Sequence, residues 1–152
     1  MIGIESESAV QLSDKLNNLL SNYQVYYQNL RGFHWNITGP SFFELHEKFE
    51  ELYTRANESV DEIAERILTL GEVPLHTFTD YLEISKIKVA KNVTDATETV
   101  NTTLDNLRTI IEIERDILSI ANEADDEGTA TLMSDYIKEQ EKTVWMLNAY
   151  AK

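Results

Sequence analysis

Apolar residues recur along almost the whole chain at alternating steps of three and four, the spacing of one helical face. Leu12, Leu16, Leu19, Tyr23, Tyr26, Leu30 and Phe33 make the first such line and predict a helix over about residues 7–35. A second stripe, Leu45, Phe49, Leu52, Ala56, Val60, Ile63, Ile67 and Leu70, predicts a helix over 41–70. Pro40 marks its fresh start, Ser41 with Glu44 has the pattern of a capping box, and Gly71 suits the C′ position with Pro74 beyond. A short helix over 79–85 is expected within "TFTDYLEIS". Val100, Leu104, Leu107, Ile111 and Leu118 are expected to face inward on a helix over 94–122, which "NEADDEGT" breaks. Met133, Ile137, Val144 and Leu147 mark the last helix, over 127–149. No strand pattern competes.

Four long amphipathic helices with one long connection, between the second and third, make an all-α four-helix bundle. That connection must cross the bundle, and it carries the short helix. At 152 residues the chain is expected to be a single domain, 1–152, able to bury a sizeable core.

The absence of cysteine excludes disulfides, thiolate catalysis and Cys-based zinc or iron–sulfur sites. The opening "MIGIESESAV" lacks the basic and apolar regions of a signal peptide, and no apolar run approaches the ~18–20 residues of a membrane span. The expectation is a cytoplasmic protein with no membrane partner. A net charge of −14 disfavours nucleic acid, because displacing counterions from phosphates needs a basic surface or arm. No Lys or Arg precedes Lys15. Such a surface attracts cations, although a solvated acidic face is the plain reading; Glu44, Glu47, Glu51, Glu58 and Glu62 belong to it.

The candidate chemistry lies in "FHWNITGPSFFELHEKFEELYTRANESVDEIAERILTLG", residues 33–71. With Leu45 set at zero, the core stripe of the second helix lies within roughly 60°, while His46, Glu50, Asp61 and Glu65 fall at about 100°, 140°, 160° and 200°. They form a separate stripe. His46/Glu50 and Asp61/Glu65 are i,i+4 pairs, each able to place two side chains on one ion. The two pairs stand about 22 Å apart along the axis, too far for one ion. Two copies packed antiparallel about a twofold axis near Arg55 and Ala56 would join His46/Glu50 of one to Asp61/Glu65 of the other and create two identical sites. Two histidines with three carboxylates suit ferrous iron better than calcium or magnesium. His76 has no matching partner and reads as a loop residue; Trp35 reads as core.

At these residues the chain resembles the Dps family of miniferritins, the DNA-binding proteins from starved cells. The motifs are histidine-tryptophan, then leucine-histidine-glutamate, then the aspartate of "DEIAERILTLG", and the likeness runs from about residue 8 to 150, where "VWMLNAY" resembles the family's last helix. The resemblance implies a ferritin-like fold and a homo-dodecameric shell. It implies ferroxidase centres taking up to two irons each, with His34, His46 and Glu50 from one subunit and Asp61 and Glu65 from its twofold partner. Many relatives have aspartate where this chain has Glu50. It also implies oxidation of ferrous iron by hydrogen peroxide or dioxygen, storage of ferric mineral, and Trp35 as a redox neighbour. Asp126 and Asp135 match loosely the residues lining a pore by which iron enters, and Asp126 is as well placed for a helix N-cap. DNA-binding relatives often use a lysine-rich extension, which this chain lacks, so compaction of DNA ranks below iron oxidation. A bacterioferritin-like or manganese-handling bundle is disfavoured, since the second helix has no inward Glu-x-x-His pair.

Overall fold

The first apolar line is buried from end to end: Leu12, Leu16, Leu19 and Leu30 are fully enclosed, and Tyr23, Tyr26 and Phe33 nearly so. In the computed structural model, which describes residues 2–152, that line belongs to α1 (Ser6–Asn36). It is followed by α2 (Phe42–Thr69), α3 (Phe78–Ile84), α4 (Ala96–Glu123) and α5 (Glu127–Tyr150), with no strand among the described residues.

The joints after α1 and after α4 are short, so each helix folds back on its predecessor and the pairs run antiparallel. Arg66 of α2 pairs with Asp126 at the start of α5, while Arg55, earlier on α2, meets Glu139, later on α5. These two helices are therefore antiparallel as well, and α4 must run parallel to α2. The connection between α2 and α4 consequently has to travel the length of the bundle. Its far end is tied to the α1–α2 joint by the Thr38 amide, which donates to the Thr94 carbonyl at 3.0 Å.

Three asparagines on α1 hold this connection in place. Asn17 donates to the Val73 carbonyl and accepts from the Leu75 amide. Asn22, fully buried, accepts from the amides of Lys86 and Ile87 and from the Ser85 hydroxyl. Asn29 donates to the Lys88 carbonyl and accepts from the Ala90 amide. Each carboxamide supplies what a neighbouring strand would otherwise give to buried, irregular backbone.

Helix ends follow two rules and break one. Gly71, at φ 90°, closes α2 as its C′ residue, with the Glu72 amide reaching back to the Ile67 carbonyl. Asp125 does the same for α4 at φ 55°, a conformation that aspartate tolerates better than most residues. The capping box expected at Ser41 and Glu44 does not form. Ser41 has ψ 18° and makes no side-chain cap bond. The chain instead turns into α2 through Gly39, whose carbonyl accepts from the Phe42 amide, and the serine never takes the extended conformation that capping requires.

The inward line of α4 also differs from expectation. Leu104, Ile111 and Leu118 are only half-buried. The residues enclosed are Thr99, Val100, Thr103, Asn106, Leu107, Ile110, Ile113, Glu114, Ile117 and Ala121. Polar Thr103 and Glu114 occupy core positions, so the apolar pattern drifts onto the neighbouring rows. Thr103 satisfies its hydroxyl on the Thr99 carbonyl one turn back. Glu114 accepts from the Tyr23 hydroxyl at 3.0 Å and the Gln140 amide at 3.2 Å. Burial pushes its carboxyl up to about 8, against the opposing pull of those two bonds.

Three outcomes test this account. Asn22→Ala removes the acceptor shared by three donors and should destabilise the fold by about 2–3 kcal/mol, with faster hydrogen exchange at residues 85–87. Unchanged exchange there would dissociate the clamp from the connection. Asp126→Ala strands Arg66 and uncaps α5, at a cost of about 3 kcal/mol in chemical denaturation; a variant as stable as the parent would return Asp126 to the pore. The third concerns pH. Because the folded Glu114 keeps its proton where the unfolded one has lost it, stability should fall as pH rises from about 4.5 to about 8 and then level off. Glu114→Gln, which mimics the neutral carboxyl, should flatten that slope; an unaltered slope would mean Glu114 is ionised in the fold.

Candidate metal centre

His34 lies in the last turn of α1, where carbonyls have no partner further along the helix. His46 lies in the second turn of α2, directly across the antiparallel joint. The two meet reciprocally: His34 Nδ1 is 2.6 Å from the His46 carbonyl, and His46 Nδ1 is 2.7 Å from the His34 carbonyl. A carbonyl can only accept, so each Nδ1 carries hydrogen and each neutral ring keeps its lone pair on Nε2. The rings lie parallel with centroids 3.8 Å apart and planes inclined by 12°. Phe42 stacks on His46 at 4.9 Å, and Tyr53 stands edge-on to His34 at 5.4 Å. His34 is buried while His46 is half-buried. Two imidazoles are thus held in one tautomer and one orientation, as metal-ligating histidines require.

Glu50 follows His46 by one turn and is exposed. Asp61 and Glu65 are exposed further along the same face of α2. Within a single chain they do not approach the histidines: among the described residues no three His, Asp or Glu side chains surround a point where one ion could sit. The four α2 residues stay together as a face and apart as a site. Arg55 and Ala56 stand at the axial level between the pairs, but not on that face. Ala56 is buried in the core, and Arg55 turns to Glu139, Glu58 and Glu62. The exposed residues there are Thr54 and Asn57, at about 180° and 120° on the count used above.

The remaining candidates separate clearly. Asp126 is a buried cap: one oxygen accepts from Arg66 at 2.7 Å and from the Thr129 amide at 3.0 Å, and the other from the Thr129 hydroxyl. With both oxygens engaged and 2% of its surface exposed, it has nothing free to offer a passing ion. Asp135 is exposed on α5. Trp35 is 56% exposed rather than core, with the Arg31 guanidinium over its ring, so it lies beside His34 in sequence but not against the imidazoles. His76 donates from Nδ1 to the Pro74 carbonyl in its loop.

Sequence reasoning passed over Tyr53, the aromatic that touches His34. The signal was there: Tyr53 follows His46 by two turns, at about 80° beside its 100°. The reciprocal carbonyl bonds had no such signal, because they depend on how two helices meet.

The chain matches the description of the ferritin-like domain over residues 13–152. The Dps protein from Vibrio cholerae O1, described as one of the ferritin-like diiron-carboxylate proteins, superposes with a TM-score of 0.98 at 51% identity, covering 100% of this chain and 96% of that one. A Dps protein from Bacillus brevis has a TM-score of 0.93 at 38% identity, over 98% of this chain and 100% of its own. The DNA protection during starvation protein of Porphyromonas gingivalis is 44% identical, over 98% of this chain and 94% of its own length. With five helices in the ferritin-like order and likeness along nearly its full length, the chain belongs to the Dps family of ferritin-like proteins.

Proposed function

We propose that this protein is a ferroxidase and iron store: a cytoplasmic homo-dodecamer that oxidises ferrous iron at centres shared between twofold-related copies and keeps the ferric product as mineral inside its shell. The observation that carries this reading is the reciprocal histidine pair, whose two Nε2 atoms are left free by bonds that fix both Nδ1 atoms. A ring separation of 3.8 Å is comparable to the ~3.5–4 Å between metals in two-metal sites, so each imidazole can hold one ferrous ion. Glu50 adds charge from the same chain, and Asp61 and Glu65 of the antiparallel copy complete the set. Anionic carboxylates favour ferric over ferrous iron, which makes each ion a better reductant.

Two irons in one centre match the electron count of peroxide. Each ferrous ion gives one electron, the O–O bond breaks with uptake of two protons, and two waters leave with no hydroxyl radical released. Dioxygen is the lesser oxidant in this reading. An apolar groove of about 800 Å³ between α1 and α3, lined by exposed Phe78, Leu82 and Val89, supports assembly, since a second copy would cover it. DNA compaction ranks lower, because a chain of net charge −14 repels a polyanion.

Complementation between two defective variants tests the shared centre. One carries His34→Ala and His46→Ala, the other Asp61→Ala and Glu65→Ala, and each alone should assemble without fast peroxide-driven iron oxidation. Refolded together in equal parts, about half of all dimers are mixed, and roughly a quarter of sites should recover. Mixed shells confirmed by native mass spectrometry but still inactive would sink both the shared centre and its ligand set.

A further inference from the structure

α4 carries more apolar surface than the core encloses. Leu104, Ile111 and Leu118 recur at seven-residue spacing beside the buried row and remain half-buried. That is the spacing of one position in a seam between two helices. Leu104 and Ile111 line a groove of about 590 Å³ between α4 and α5, with Val144 and Asn148 as its wall on α5. Trp145, next to Val144, is 64% exposed. It points directly away from the buried row of Tyr136, Gln140, Thr143 and Leu147.

The charge of this face is unlike that of the chain as a whole. Lys138 and Lys142 lie two turns and one turn before Trp145 on the same side of α5, and both are exposed. The lysines with a carboxylate partner are Lys15 and Lys48; Lys138 and Lys142 have none among the described residues. Glu141 beside them is taken up by Arg115 at 2.7 Å. Asp135 stands about 15 Å along the axis from Trp145, beyond both lysines. A basic face with an aromatic at its centre, on a chain of net charge −14, is complementary to another copy of the same chain.

We infer that the groove between α4 and α5, with Trp145, is a second self-association surface, which takes a different face of a neighbouring copy. The inference rests on the twelve-copy shell proposed above. A twofold contact closes at two copies, so a shell of twelve requires a further, heterologous one. The twofold face lies elsewhere on the bundle. Tyr27 lines the groove between α1 and α3 and touches Tyr53 of α2, so that groove borders the α2 stripe. α4 and α5 form the opposite edge. Trp145 is the anchor of the contact there, Leu104, Ile111 and Val144 are its apolar floor, and Lys138 and Lys142 are its rim.

Native mass spectrometry of the unaltered protein and two variants tests this. Trp145→Glu changes an exposed side chain, and Lys138→Glu with Lys142→Glu reverses the rim. Both variants should keep the parent's helix content by circular dichroism. At micromolar concentration the twelve-copy species should fall about tenfold or more in each, replaced by the two-copy species, because the twofold face is untouched. Shells at full strength in either variant would overturn the inference. So would collapse to single copies, which places the patch on the twofold face. Full shells that lose retention of duplex DNA would also overturn it and assign the patch to nucleic acid. An unaltered protein that stops at two copies would remove the dodecameric reading itself, a result distinct from dodecamers that survive the substitutions.

Discussion

The short joint between α1 and α2 is the constraint on which the rest depends. It forces α2 back along α1, so the last turn of one helix faces the second turn of the other. Only in that arrangement can His34 and His46 exchange Nδ1–H···O=C bonds through their own backbones. A carbonyl orphaned at the end of α1 gains a donor, and the imidazole that satisfies it is held in one orientation. Helix termination and the ordering of the imidazole pair are therefore one event. Phe42 and Tyr53 close the stack from two sides and leave few directions from which an ion can reach the rings.

α2 has to serve two partners at once. Its core stripe packs against α1, and its second stripe is exposed at Glu50, Asp61 and Glu65. Among the described residues none of the carboxylates of Glu50, Asp61 and Glu65 is in a salt bridge, whereas Glu51, Glu58 and Glu62 on the other flank are paired with Lys48 or Arg55. Lys48 and Arg55 neutralise three acids of α2, while Glu50, Asp61 and Glu65 stay unpaired.

The core also holds buried polar residues. Asn22 and Asn29 carry the crossing connection, and Glu114 with Gln140 and Tyr23 sits where aliphatic packing would be simpler. Buried groups of this kind are stabilising only when they are satisfied, and specify one arrangement because alternatives leave them unpaired. The asparagines fix the path of the connection. The Glu114 cluster remains partly unsatisfied, and burial raises its carboxyl so that its charge depends on pH.

Periodicity alone determined that this chain makes four long helices and one short one, and where Gly71 ends the second, because apolar spacing and backbone freedom are local properties. The angular sorting of His46, Glu50, Asp61 and Glu65 onto one stripe was equally legible, since a helix converts residue number directly into direction. Where polar residues enter the core the reading slipped: Thr103 and Glu114 shifted the inferred inward face of α4 onto Ile111 and Leu118. Ser41 had the right neighbours for a cap and the wrong backbone angles. Tertiary structure alone decided that Arg66 engages the Asp126 cap, that Trp35 turns outward, and that Tyr53 meets His34. Each of these depends on the angle and depth at which two helices meet, and no spacing within one helix encodes that.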